Sequence, residues 1–196
     1  MTLVLHLVRH ASYPLAGRVL AGRSEHGLDE AGHAQARALA ERLAGTAMTA
    51  VYTSPRRRAV ETARALAQPH RLEPVVDAGL DEMDFGAWSG REIHGFGDDP
   101  LWRGFNTVRS LTRPPGGETM LEAQARIAAF AERASTSHPD GMVAAVGHAD
   151  PIRALLCLLL AMPLDLMGRI ELQPGAVATV AVDPWGARLL SLAQPR

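Results

Sequence analysis

The sequence predicts an α/β protein, a three-layer α/β/α sandwich with a largely parallel central sheet, and three observations predict it. Short, β-rich apolar runs alternate with helix-forming stretches, the pattern of βαβ units whose helices cover both faces of a sheet. The chain has 196 residues, which suits one α/β domain, read as residues 1–196 with a cover segment at about 83–117. Apolar residues make up 47% and charged residues 21%, the balance of a globular protein and not of a disordered chain.

Thr2–Val8 is apolar and β-rich and stops at Arg9-His10, so it reads as a buried first strand. Asp29 is placed to cap a helix running to about Leu43, with Ala31, Ala38, Leu39 and Leu43 on its apolar side and Gly45 beyond its end. Thr49–Thr53 is a second short strand. Ser54-Pro55 has the residue types of a helix N-cap and first helical position, opening a helix through Ala67. Pro69 and Pro74 bracket a link to a third strand near Glu73–Val76. Gly79 to Gly117 is rich in Gly, Pro and aromatic residues, holds a short helix near Pro100–Leu111, and suits a cover over a site. Glu118–Ala134 is amphipathic, with Leu121, Ala125, Ala128 and Phe130 among its apolar positions. Met142–Val146 is an apolar strand closed by Gly147-His148, and Pro151 falls in the first turn of a helix that runs to Ala161. Two late strands, near Ala176–Val182 and Ala187–Leu192, flank an Asp183-Pro184-Trp185-Gly186 turn.

Composition removes several chemistries. All 20 basic residues are Arg and no Lys occurs, which excludes Schiff-base lysines, the usual pyridoxal-phosphate chemistry, Ser-Lys pairs and phosphate-loop lysines. Against 21 acidic residues the formal charge is −1, without the basic excess of a dedicated nucleic-acid binder. The single cysteine, Cys157, can form neither an internal disulfide nor a Cys-rich zinc site, and reads as a small buried apolar residue. The longest apolar run, Ala154–Met162, falls well short of the ~20 residues that span a bilayer. The N-terminus shows neither a basic leader nor a small-residue cleavage site, so the expected location is the cytoplasm.

In parallel sheets, ligands bind beyond the carboxyl ends of the strands. Those ends carry Arg9-His10, Ser54 followed by Arg56-Arg57-Arg58, Leu80-Asp81-Glu82, and His148 directly before a helix. Guanidinium forks and helix N-termini bind phosphate oxygens, so a phosphate pocket is expected there. An imidazole neutral near pH 7 can attack phosphorus, a carboxylic acid can protonate the leaving alkoxide, and the remaining cations can neutralise the equatorial oxygens.

The same residues resemble the histidine phosphatase superfamily, the group that includes cofactor-dependent phosphoglycerate mutases. Leu7-Val8-Arg9-His10 is similar to its strand ending in Arg-His-Gly. Gly22-Arg23 and Leu28–Ala36 are similar to its Gly and Leu-Thr-x-x-Gly-x-x-Gln-Ala segment, and Ser54–Ala63 to its Ser-x-x-x-Arg-Ala-x-x-Thr-Ala block. Leu80–Gly90 follows the Glu-centred block, and Pro115-Gly116-Gly117-Glu118 and Val146-Gly147-His148 complete the family order.

The resemblance implies the phosphoglycerate mutase-like form of the fold, with His10 as the phosphorylated nucleophile, Glu82 as proton donor, and Arg9, Arg58 and His148 as the phosphate clamp. Gly22, Ser12 and Ala149 fall where substrate would be contacted. Spacing from Ser54 selects Arg58 among the three arginines, leaving Arg56 and Arg57 on solvent or in local pairs. The chain departs from the family pattern at Ala11-Ser12-Tyr13, where Gly-Glu-Thr is usual, at Ala16, near the place of a phosphate-contacting Asn, and at Ala149-Asp150, where Gly-Gly is expected. Asp150 is expected to point away from phosphate or to hold an imidazole.

The expected activity is metal-independent hydrolysis of a small phosphate monoester through phospho-His10, with no cofactor and no metal. Candidate substrates are sugar or carboxylic-acid phosphates, a nucleoside phosphate such as α-ribazole phosphate, or phosphohistidine on a protein. The expected partner is that small phosphorylated substrate, and neither nucleic acid nor a membrane; a homodimer is left open. Three alternatives stand beside it: a phosphoglycerate mutase-type phosphotransferase, a non-catalytic phospho-ligand-binding relative, and a metal-dependent hydrolase using His6, His10 and His148. Mutases of the family that the chain resembles usually carry longer insertions, so by that resemblance the short segment between Glu82 and Glu118 favours hydrolysis over isomerisation. His6 reads as a buried, satisfied core histidine. Arg91, Arg103, Arg109 and Arg113 are open to binding a substrate carboxylate or second phosphate but each reads first as a solvated charge, and Trp88, Trp102 and Phe105 read as packing before a substrate platform.

Overall fold

The computed structural model describes residues 1–195. Alternation along Leu3–Arg9 (β1) sends Leu3, Leu5 and Leu7 to one face and Val8 to the other, and all four are buried. Ala50–Thr53 (β2), Val75–Val76 (β3), Met142–Gly147 (β4), Val177–Asp183 (β5) and Gly186–Ala193 (β6) complete a sheet in the order β3-β2-β4-β1-β5-β6. The first four strands in that order are parallel, whereas β5 runs antiparallel to both β1 and β6. The sheet is thus mixed and mostly parallel.

Glu30–Leu43 (α1) and Arg57–Ala67 (α2) cover one face, packing Leu39, Leu43, Ala59, Ala63 and Leu66 on Val8, Val51, Ala144 and Val146. Pro100–Thr107 (α3) belongs to the cover segment. Met120–Ser137 (α4) and Ala149–Leu159 (α5) cover the other face, packing Ile127, Phe130, Ile152 and Leu155 on Leu5, Leu7, Val143 and Ala145. Asp29 caps α1 as expected, its carboxylate accepting from Gly32 N. No described helix is long and apolar enough to cross a membrane.

Three local expectations are corrected. Helix α2 opens at Arg57 with Arg56 as N-cap, so Ser54-Pro55 is neither cap nor first turn; the Ser54 hydroxyl is engaged elsewhere. Helix α4 buries Met120, Ala123, Ile127 and Phe130 and exposes Leu121, so its packed face is rotated from the expected one. In α1 the buried set is Gly32, Ala36, Leu39, Ala40 and Leu43, and Ala31 is exposed.

The register positions the site. Arg9 lies opposite Gly147 and Thr53 opposite Val146, so three adjacent parallel strands end level with one another. His10 N donates to Gly147 O at 2.9 Å and Ser54 N to Val146 O at 2.8 Å, which carries the alignment one residue beyond the strands. The cover has its own core of Met83, Phe85, Trp88, Phe96 and Phe105, packed on Met120, Cys157 and Met167. Trp102 stacks on Phe96 with centroids 4.3 Å apart, so the aromatic residues pack mainly on one another. Gly86 has φ +53°, and a Cβ there would strike the Pro115 carbonyl; this close backbone approach fastens the two ends of the cover.

Candidate active site

Six side chains from five segments meet at the carboxyl ends of β1, β2 and β4. His10 and His148 are buried, with ring centroids 5.0 Å apart at 60°. Arg58, fully buried on the first turn of α2, lies between them: its Nε donates to His10 Nε2 at 3.3 Å, and Nη2 lies 3.2 Å from His148 Nδ1. The same guanidinium donates to Gly22 O at 2.7 Å and Ser24 O at 3.0 Å, so Arg58 also holds the loop that follows β1.

Hydrogen bonds assign the tautomers. His10 Nδ1–H donates to Ala11 O at 2.8 Å, which leaves the Nε2 lone pair facing the site. Burial first, then the Arg58 charge, holds the His10 pKa well below its ordinary value against the raising effect of the Ala11 carbonyl, so the ring is neutral. His148 Nε2 pairs with Ser54 Oγ at 2.8 Å, and Ser54 Oγ donates on to Asp81 Oδ1 at 3.4 Å. Burial, His10 and Arg58 depress the His148 pKa too. The neutral ring therefore carries its proton on Nε2 and accepts from Arg58 at Nδ1. Its 3.5 Å approach to Glu82 Oε2 is a contact and not an ion pair.

Glu82 is largely buried, and Met83 N donates to its Oε1 at 2.9 Å. Burial, then the charge of Asp150, raises its pKa to about 7 against the lowering effects of Arg58, the Met83 amide and Arg9. The carboxyl is thus poised between acid and base near neutrality. Its backbone is clamped twice: Arg23 Nε and Arg126 Nη2 donate to Glu82 O at 3.0 and 3.1 Å, and both arginines also bond Glu118 Oε1. Arg9 Nη1 donates to Leu172 O at 2.6 Å, and its buried Nε has no partner among the described residues. Beside His148, the first amides of α5 lack intrahelical partners and form an anion-attracting terminus.

Arg9, His10, Arg58, Glu82 and His148 are therefore brought together. Gly22 is buried, adopts φ +50° and gives its carbonyl to Arg58. Ala149 is the half-buried first residue of α5. Ser12 lies in the loop after β1, where its hydroxyl donates to Asp29 and its amide to Gln35. Arg57 is exposed and pairs locally with Glu61, but Arg56 is not on solvent; it reaches Asp81 at 3.0 Å and Glu25 at 2.6 Å. His6 Nδ1 pairs with Thr179 Oγ1 at 3.0 Å, while its buried Nε2 has no partner among the described residues. Asp150 holds Arg109 and no imidazole, so Arg109 is paired and not simply solvated. Among the other cover arginines, Arg91 lies over the Phe96 ring, and Arg103 and Arg113 pair with Asp98 and Glu122.

Sequence reading missed two sets: the network of Ser54, Asp81, Arg23 and Arg126, and the Asp150–Arg109 pair. Ser54, Asp81 and Arg23 lie inside the family-like blocks, but Arg126 stands on a helix face with no local signal.

A mostly parallel α/β sheet whose strand ends gather two neutral imidazoles, buried guanidiniums and a carboxyl of raised pKa forms a site suited to phosphate. The sequence profile of the histidine phosphatase superfamily (branch 1) matches residues 5–195, and the chain belongs to that family. It is 36% identical over 192 residues to the bifunctional protein Rv2228c of Mycobacterium tuberculosis, with 96% of this chain and 52% of that protein aligned. The chain thus spans about half the length of that relative. It is 30% identical over 169 residues to phosphoserine phosphatase 1 of Hydrogenobacter thermophilus, covering 82% of this chain and 78% of the relative. The fold superposes on mycobacterial glucosyl-3-phosphoglycerate phosphatase Rv2419c with a TM-score of 0.87 and 26% identity, covering 97% of this chain and 98% of that one.

Proposed function

We propose that the protein is a metal-independent phosphatase that hydrolyses a small phosphate monoester in two steps through His10. The observation that carries this reading is the neutral His10 ring, its Nε2 lone pair turned toward Arg58 and the His148 ring. In the first step Nε2 forms a bond to phosphorus as the ester P–O bond breaks, and the leaving oxygen takes the Glu82 proton. In the second, the Glu82 carboxylate removes a proton from water, the water oxygen bonds phosphorus, and the P–N bond breaks. Arg9, Arg58 and the α5 N-terminus offset the charge of the phosphoryl oxygens. With the dianion bound beside it, His148 takes up a proton from solvent at Nδ1, which then donates to the phosphoryl oxygens. The relatives named phosphoserine phosphatase and glucosyl-3-phosphoglycerate phosphatase support hydrolysis of a phosphorylated small molecule. The reading includes a cytoplasmic location.

Acid-quenching during turnover of a 32P-labelled ester tests it. Acid-labile label is expected on the wild type and absent from His10→Ala, with turnover unchanged in chelator. Label that persists in His10→Ala overturns the nucleophile, and transfer to a second alcohol in place of water would mark a mutase.

A further inference from the structure

We propose that the Tyr13 hydroxyl is a further substrate-binding group, donating a hydrogen bond to the phosphoryl group held between Arg58 and Arg9. This deepens the phosphatase reading and rests on it. The backbone before Tyr13 is fixed on both sides of the loop. Ala11 N donates to Thr62 Oγ1 at 3.1 Å, Ser12 N to Gln35 Oε1 at 2.9 Å, and Ser12 Oγ to Asp29 at 3.0 Å. The donors of Ser12 are thereby used up, and the next ring packs beside His10 and Arg58.

The Tyr13 ring is only 7% exposed. Its edge meets His10 with centroids 5.5 Å apart, the Arg58 guanidinium carbon lies 5.2 Å from its centroid, and His26 stacks behind it at 6.1 Å. The ring is thus wedged against the nucleophile and the central arginine. A buried phenol ordinarily bonds its hydroxyl to protein. That of Tyr13 has no hydrogen-bond partner among the described residues and is not fully sealed from solvent. Burial raises its pKa, and the charges of Arg58, Glu82 and Arg9 also act on it. Burial keeps the phenol a protonated donor at neutral pH, and the contacts of its ring with His10 and Arg58 set it beside the proposed phosphate position. Packing of the ring would need no hydroxyl in this position.

Tyr13→Phe removes the hydroxyl and keeps the ring. Binding of inorganic phosphate, followed by titration calorimetry, is expected to weaken about tenfold, with a similar fall in kcat/KM for p-nitrophenyl phosphate and no change in melting temperature. Phosphate is also expected to perturb the tyrosine ultraviolet spectrum of the wild type and not that of Tyr13→Phe. Equal phosphate affinity and equal kcat/KM in the two proteins would overturn the role of Tyr13 while leaving the phosphatase reading intact. A wild type that neither binds phosphate nor turns over esters would overturn both.

Discussion

Arg109 Nη1 donates to Asp150 Oδ2 at 2.7 Å, and both side chains are largely buried. The bond joins the cover segment to the first turn of α5, two residues after His148. Arg109 also lies over the Phe105 ring at 4.6 Å, while Arg153 approaches the other Asp150 oxygen at 3.6 Å. Burial opposes the Asp150 charge, but Arg109 and then Arg153 hold its pKa below the usual carboxylate range. One ionised carboxylate thus fastens the cover and raises the pKa of Glu82.

Replacing Asp150 by Asn removes a negative charge near Glu82 and leaves Arg109 and Arg153 uncompensated. Both changes favour the ionised form of Glu82, so its pKa falls. The alkaline limb of the kcat/KM profile for an alkyl phosphate, which needs protonated Glu82, is expected to move about one unit toward acid. An unmoved limb would show that Asp150 serves only to fasten the cover.

Glu82→Gln retains a hydrogen-bonding side chain but can neither give nor take the proton. Alkyl phosphates, whose leaving groups need that proton, are expected to slow by about 10²–10⁴-fold. An aryl ester such as p-nitrophenyl phosphate leaves without protonation, so its phosphorylation step, read from single-turnover kinetics, is expected to slow far less. Equal slowing of that step for both substrates would deny Glu82 the role of acid.

The raised pKa of Glu82 also sets a sign for stability. Its folded-state value of about 7 lies above the ordinary 4.5, so its contribution is complete below 4.5 and is lost as pH rises through 7. Glu82→Gln escapes this loss. The difference in unfolding free energy between variant and wild type is expected to grow in favour of the variant from pH 4.5 to 7, by about 1–3 kcal/mol at pH 8. The buried neutral His10 and His148 act in the opposite sense, since their depressed values withdraw stability as pH falls below 6.5. Denaturant melts of wild type and Glu82→Gln across pH 5–8 measure the first effect, and a difference that is flat with pH would contradict it.

Much of this site was legible because an apolar strand ends abruptly where a polar residue begins. His10 and His148 both carry that mark, and the family-like blocks assign them roles. Strand order is a different matter: nothing local says that β4 lies beside β1, and that neighbourhood brings the two rings to 5.0 Å. Ser54 shows the limit most clearly. Read locally, Ser-Pro opens a helix, but its hydroxyl bonds a histidine 94 residues away, and α2 starts three residues later. Asp150 and Arg109 are 41 residues apart, and opposite charges at that separation carry no pairing signal among 20 arginines. The face of α4 was misplaced because its many alanines make several stripes equally apolar, and packing against β1 and β4 decides between them.

Ser54 offers the last test, because its hydroxyl is the only acceptor that His148 Nε2–H has among the described residues. Both side chains are fully buried, so Ser54→Ala leaves that N–H unsatisfied, at a cost of about 1–3 kcal/mol in stability. The tautomer responds as well. Without Ser54, the proton is no longer held on Nε2, and Nδ1–H competes by turning toward Glu82 Oε2, now 3.5 Å away. Nitrogen-15 shifts of the His148 ring are therefore expected to move from the Nε2–H pattern toward a tautomer mixture, and kcat to fall more than KM changes. Ser54→Thr restores the hydroxyl with one extra methyl group and is expected to return the Nε2–H pattern. An Nε2–H tautomer that persists in Ser54→Ala would mean that Arg58 alone, donating to Nδ1, fixes the ring.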